Sequence, residues 1–258
     1  MVPRHLRIAG SSTCDCAIAL LRNQFFNIKC ATMNAEIIYC YLKQHPVTAG
    51  LADDRLLKIA LSVKIQSFKK GSSIYLSENF DNRIYLLLKG RVRITESDEH
   101  GEEMIKEILS DGEIFGDVSL EDGIAADEFA ETITDNTIVC SFLSSDFQMM
   151  MQTDSRLAMN YAKQVSGKFR RLESRHSNLV FKDTKTRLVG FFRDWAHREG
   201  QKNGDRIMLN NYLTHNDIAG IISTSRQSVT TLLNELKDLG FLFYNRKQIE
   251  IHERCMMN

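Results

Sequence analysis

Apolar residues recur along this chain with two different periods, and the change of period divides it. Between Ile65 and Leu143 they come in short β-prone runs at 74–76, 84–88, 92–94, 104–109 and 137–142. Gly71, Gly90, Gly101, Gly112 and Gly116 fall between the runs, where tight turns often need positive φ. Several short strands at this spacing predict a closed or sandwiched all-β unit, read here as a β-roll. From Asp154 the period becomes helical: Leu157, Tyr161, Val165, Phe169, Leu172, His176 and Leu179 recur every three or four residues. A narrow apolar stripe on so long a helix suits a coiled-coil pairing with a second copy. Lys163, Lys168, Arg170, Arg171 and Arg175 line the other side and read as a solvated face. Residues 1–32 show no sustained period of either kind.

A shorter amphipathic helix is predicted over 184–199, with Leu188, Phe191, Phe192 and Trp195 inward, ended by the stretch Gly200 to Gly204. Beyond it, Thr214 and Asp217 have the spacing of a capping box, and Ile218, Ala219, Ile221 and Ile222 supply an inward face. A turn at Ser223-Thr224 leads to a second cap at Ser225 and a second helix carrying Val229, Leu232, Leu233, Leu236 and Leu239. Two short capped helices joined by so short a turn predict a helix-turn-helix. Runs at 241–244 and 248–252 around Asn245-Arg246-Lys247 predict a β-hairpin with a basic tip.

The chemistry lies on the second of these helices. Arg226 and Gln227 sit on its first turn after Ser225, with Ser228, Thr230, Thr231 and Asn234 following. An Arg fork can address guanine, Gln can address adenine and a Thr methyl can meet the thymine methyl, while the helix N-terminus favours phosphate. Arg246 and Lys247 are expected to contact phosphate from the wing. Duplex DNA is the predicted partner.

Composition narrows the alternatives. The 258 residues carry 33 Lys plus Arg against 33 Asp plus Glu, so DNA affinity has to come from a local basic surface. Between Glu96 and Glu131 acids outnumber bases fourteen to one, Lys106 being the lone base, and this unit is expected to stay away from DNA. No apolar run approaches the ~20 residues that span a bilayer, which predicts a cytoplasmic protein without membrane attachment. Six cysteines are too sparse for a disulfide scaffold, and reduced thiols are expected. Everything after Met33 reads as a complete protein, so Met33 is taken as a second start and 1–32 as an extension that is not native. No HExxH, paired CxxC or nucleophile–base signature occurs, and the chain is read as no enzyme, with no cofactor or metal.

The order of parts resembles the CRP/FNR superfamily of bacterial transcription regulators over about 65–252. The segments FKKGSSI at 68–74, YLLLKGRVRI at 85–94 and GEIFGD at 112–117 resemble that family's β-roll, and SRQSVTTLL at 225–233 resembles its recognition helix. The resemblance implies an α+β fold: an N-terminal β-roll of cupin-like double-stranded barrel type with a leading helix over 33–150, a long dimerisation helix over 151–181, and a winged helix-turn-helix over 182–258. It further implies a homodimer seamed by Leu157, Tyr161, Val165, Phe169 and Leu172, an inverted-repeat DNA site, RNA polymerase as a partner, and a small effector in the roll near Gly116 and Asp117. Where cyclic-AMP-binding members supply an Arg to the phosphate, this chain has Ala125-Ala126-Asp127-Glu128, and where they place a polar pair on the central helix it has Leu172-Glu173. Acids facing a phosphate repel it, so cyclic AMP is not the expected effector. An iron-sulfur or redox-sensing version of the regulator is the alternative within the family, yet Cys14, Cys16, Cys30 and Cys40 lack its ligand spacing, and Cys140 reads as a small buried hydrophobe. A haem would have only His100 to offer as an axial ligand in the acidic segment. The remaining alternative, a cyclic-nucleotide-type module acting on a protein partner, leaves the recognition helix unexplained. The helix-turn-helix itself departs from the family at Ser223, where Gly is common, and at Thr231, where many members carry Arg.

Overall fold

The computed structural model describes residues 31–75, 82–97, 100, 103–118 and 128–256. Helices α1 (Ala31–Gln44) and α2 (Asp53–Ser62) lead into two four-stranded antiparallel sheets. One has the order β1 (Lys64–Phe68), β8 (Thr137–Leu143), β3 (Arg83–Lys89), β6 (Ile114–Gly116). The other has the order β2 (Ser73–Tyr75), β7 (Glu128–Thr132), β4 (Val92–Ser97), β5 (Glu103–Leu109). Helices α3 (Ser144–Thr153) and α4 (Ser155–Phe181) follow.

The period of two explains why β3 is an unbroken apolar run. Ile84, Leu86 and Leu88 face the helices and join Tyr39, Leu42, Leu56 and Phe147 in one core. Tyr85 and Leu87 point the other way, into the roll, with Val92, Leu109 and Phe115. A strand covered on both faces can afford no polar alternation. Strand β8 divides in the same manner, Cys140 and Phe142 toward the helices and Val139 toward the roll interior. The interior is filled by stacked rings: Tyr85 lies 5.4 Å from Tyr75 and 5.0 Å from Phe115, centroid to centroid.

Three strands of the roll escaped the sequence pattern, the first being β1, whose KIQSF holds no continuous apolar run. Strand β7, EFAET, buries only Ala130 and Thr132, leaves Phe129 half-buried and carries two acids, so its apolar signal is weak. Strand β6 is three residues long and hides inside the glycine-flanked GEIFGD motif.

Helix α4 is capped by Asp154, whose carboxylate accepts the Arg156 and Leu157 amides. Its stripe divides in two. Leu157 and Tyr161, expected in a dimer seam, are instead buried at 1% and 8% exposure in the core of their own roll. From Val165 onward the stripe is uncovered, with Phe169 58%, Leu172 63% and Phe181 83% exposed. Periodicity finds the stripe but cannot say that its first turns lie on the roll. The basic face also needs correction, because Lys168 pairs with Glu107, and Arg171 with Glu107 and Glu113. Lys163 and Arg170 do remain exposed.

Helix α5 (Thr184–Glu199) opens the C-terminal unit, capped by Asp183. Strands β9 (Gln201–Asn203) and β10 (Arg206–Asn210) then precede α6 (His215–Ile222), α7 (Arg226–Asp238), β11 (Leu242–Tyr244) and β12 (Gln248–His252). The wing is therefore one edge of a four-stranded sheet, β11-β12-β10-β9, rather than a lone hairpin. Polar, exposed β9 gave no apolar cue. Leu188, Phe192, Trp195, Val229, Leu233 and Ile251 close a core to which Ile133 of the roll also contributes.

Candidate nucleic-acid interface and effector region

The capping box forms as the spacing predicts. The Thr214 hydroxyl accepts the Asp217 amide at 3.1 Å, and the Asp217 carboxylate accepts the Thr214 amide at 2.7 Å. Helix α6 ends at Ser223, which adopts the left-handed conformation at φ 53° and ψ 66°. Ser225 then caps α7, its hydroxyl accepting the Ser228 amide at 3.0 Å. Val229, Leu233 and Leu236 pack inward, whereas Leu239 is 56% exposed at the C-cap and takes no part in the core.

Turning α7 about this buried face presents Arg226, Gln227 and Thr231 to solvent. Among the described residues no hydrogen bond or ion pair engages their side chains, so their donors and the threonine methyl are available to an incoming surface. Ser228 and Thr230 are committed elsewhere. The Ser228 hydroxyl lies 2.9 Å from that of Ser225, and the Thr230 hydroxyl donates to the Arg226 carbonyl at 3.0 Å and lies 2.9 Å from Nδ1 of His215. His215 also meets the Tyr244 ring edge-on at 5.4 Å, and the Tyr244 hydroxyl donates to Asn234 at 3.2 Å. The imidazole thus joins the start of α6 to α7 and the wing, although in the sequence it passes for a surface residue. Partial burial, reinforced by the nearby Arg226 charge, lowers its pKa and favours the neutral ring.

At the wing tip the Asn245 carboxamide oxygen accepts the Lys247 and Gln248 amides at 2.8 and 2.9 Å, an Asx-type turn. Arg246 and Lys247 project from it, exposed. Arg187 braces the turn between α6 and α7 from α5, donating to the Ile222 and Ser223 carbonyls at 2.9 and 3.3 Å.

In the roll, Gly116 has φ +85°, and a Cβ there would stand 2.3 Å from the Arg83 carbonyl oxygen. Only glycine fits, whatever binds nearby. Asp117 is buried and accepts the Ser144 hydroxyl at 2.7 Å, while the Tyr161 hydroxyl donates to the Val118 carbonyl. These bonds pin the end of β6 to α3 and α4. Glu128 accepts the Tyr75 hydroxyl at 2.6 Å and pairs with Lys106 at 3.0 Å, so its charge is locally compensated. Asp127 lies outside the described residues. Leu172 and Glu173 are exposed on α4, about 17–18 Å along the helix axis from Tyr161 at ~1.5 Å per residue. Within one chain they do not meet the Gly116–Asp117 turn.

Burial pushes the Cys140 thiol up to about 12, the behaviour of a core residue. Cys14, Cys16 and Cys30 fall outside the described residues, and Cys40 is half-buried beside the roll core. His100 stays exposed.

Residues 65–154 match the cyclic nucleotide-binding domain family and residues 186–257 match the Crp-like helix-turn-helix domain family. The chain is similar to the global nitrogen regulator of Nostoc sp., 27% identical over 192 residues that cover 73% of this chain and 85% of that protein. It is also similar to the CRP-like cAMP-activated global transcriptional regulator of Mycobacterium tuberculosis, 22% identical over 196 residues covering 75% of this chain and 87% of the other. Among solved structures, a CooA mutant from Carboxydothermus hydrogenoformans superposes with a TM-score of 0.62 at 26% identity, covering 73% of this chain and 83% of that one.

The left-handed Ser223 yields a stability prediction. A side chain in this conformation costs about 1 kcal/mol or more relative to glycine, so Ser223→Gly should raise the unfolding free energy by roughly that amount. Urea unfolding measures it, and an unchanged or lower midpoint contradicts the assignment.

Proposed function

We propose that the chain is a DNA-binding transcription regulator of the CRP/FNR superfamily, acting as a cytoplasmic homodimer whose two α7 helices read an inverted repeat. The observation that carries this reading is the division of labour on α7. Arg226, Gln227 and Thr231 are exposed and uncommitted, while Ser228, Thr230 and Asn234 are spent on holding the helix and the wing in place. Arg226, on the first turn beside the cap, contacts guanine as a bidentate fork; Gln227 reads an adjacent base; Arg246 and Lys247 hold phosphate. Thr231 is too short for a guanine fork and selects by methyl contact. Among the described residues no helix is long and apolar enough to cross a membrane.

The dimer seam in this reading starts at Val165 and continues through Phe169 and Leu172, together with the exposed Leu179, Val180 and Phe181. An apolar strip of this length is unfavourable in water. Replacing both Val165 and Phe169 with Glu should yield folded monomers that lose operator binding; a variant still dimeric in sedimentation places the seam elsewhere.

The effector, on this account, is not cyclic AMP. Asp117 is engaged by Ser144, and the stretch 125–128, which lines up with the phosphate-binding segment of cyclic-AMP-binding members, reads Ala-Ala-Asp-Glu and carries no arginine, as Leu172-Glu173 carries no matched polar pair for the adenine. Titration calorimetry with cyclic AMP should register no saturable heat at micromolar ligand, and micromolar affinity rejects this assignment.

The direct test of the DNA reading is selection from a random duplex pool. The selected motif should be a dyad with half-sites centred ~10 base pairs apart, and Arg226→Ala should cost ~1–3 kcal/mol and relax one base pair of each half-site. A motif without symmetry, or one indifferent to Arg226→Ala, defeats the proposal.

A further inference from the structure

Asp217 does two jobs at once. Its side chain is only 4% exposed. One carboxylate oxygen closes the capping box, accepting the Thr214 amide and hydroxyl, each at 2.7 Å. The other accepts Nη1 of Arg93 at 2.7 Å. Arg93 belongs to the roll: it lies on β4, directly opposite Glu131 of β7, whose carboxylate takes its Nη2 at 2.5 Å. A single guanidinium therefore holds two carboxylates drawn from the two ends of the molecule. The planar fork of arginine suits this; a lysine point charge does not.

The surroundings make the junction close. Gly220 of α6 approaches β5 so nearly that a Cβ would stand 3.0 Å from the Ile105 side chain. From α4, Arg175 donates to the Ile105 and Gly220 carbonyls at 3.1 and 2.9 Å. Arg91, two residues before Arg93 on the roll, pairs with Glu199 at the end of α5 at 2.9 Å. Strand β7, which carries Glu131, begins at Glu128 immediately after the acidic segment and runs into Ile133, itself buried in the DNA-binding unit.

We propose that Arg93 is a positioning residue for DNA reading: it fixes the orientation of the helix-turn-helix on the roll through Asp217 and ties that orientation to β7 through Glu131. The proposal rests on the reading of α7 as the DNA-contacting helix. Arg93 touches no base, and the capping box survives its loss because the Thr214 donors and the α6 N-terminus still hold the Asp217 carboxylate. The helix-turn-helix then folds but is no longer held at a fixed angle, so the specific complex suffers and the phosphate-driven one does not.

The test compares full-length wild type, Arg93→Gln, Arg93→Lys, Glu131→Gln and Arg226→Ala for binding to the selected operator and to a scrambled duplex. Amide exchange is followed over α6 and β5. Losing a charged partner of a desolvated carboxylate should lower operator affinity at least about tenfold in Arg93→Gln, with scrambled-duplex affinity within about twofold and faster exchange in both elements. Arg93→Lys should recover part of the loss. Glu131→Gln, which leaves the guanidinium to Asp217 alone, should keep operator affinity and slow exchange in α6; it carries the test if Arg93→Gln does not fold. Unchanged operator affinity in Arg93→Gln, an equal loss on both duplexes, or a Glu131→Gln defect as large as that of Arg93→Gln overturns the proposal. Arg226→Ala separates the failures, since an operator loss there with none at Arg93 leaves the DNA reading standing.

Discussion

A carboxylate withdrawn from water has to be met by donors, and Asp217 is met by donors from both halves of the molecule. Its own helix supplies the Thr214 amide and hydroxyl; the roll supplies the Arg93 guanidinium. The same group that starts α6 therefore fixes where α6 sits, and α7 follows because the turn at Ser223 and the Arg187 brace leave it little freedom. In the proposed reading, the orientation of α7 depends on charge compensation at this junction.

Helix α4 is the second constraint. Its first turns are anchored, with Leu157 and Tyr161 in the roll core and Tyr161 bonded to the Val118 carbonyl. Its middle is held by charge, Lys168 and Arg171 on Glu107 and Arg175 on β5 backbone. The remaining apolar edge, from Val165 through Phe181, is exposed. A helix fixed to its own roll on one side and open on the other is suited to carry a change in the roll toward the DNA-binding unit, since neither side can move without disturbing the other.

Much of this was legible in the sequence wherever a local rule operates. Short β-prone runs located β3, β4, β5 and β8, and the Thr214–Asp217 and Ser225 caps located α6 and α7. What the sequence hid was long-range. Nothing local reveals that Arg93 answers a residue 124 positions away, or that the basic face of α4 lies on Glu107 and Glu113. Strand β7 was missed because its acids are neutralised by partners on β4 and β5, and a strand held by ion pairs leaves a weak apolar trace. Periodicity describes a face of α4 and not what covers it, so it cannot show that Leu157 and Tyr161 pack into their own roll.

The central claim is that DNA meets the N-terminal turn of α7 and the wing tip while the roll stays clear. Amide hydrogen exchange of the full-length protein, with and without the selected duplex, tests it most directly. The account predicts slowed exchange over 225–231 and 245–248, with the sheets of the roll unchanged outside the β5 junction. Protection centred on the roll or on α4, with α7 left unprotected, would contradict it.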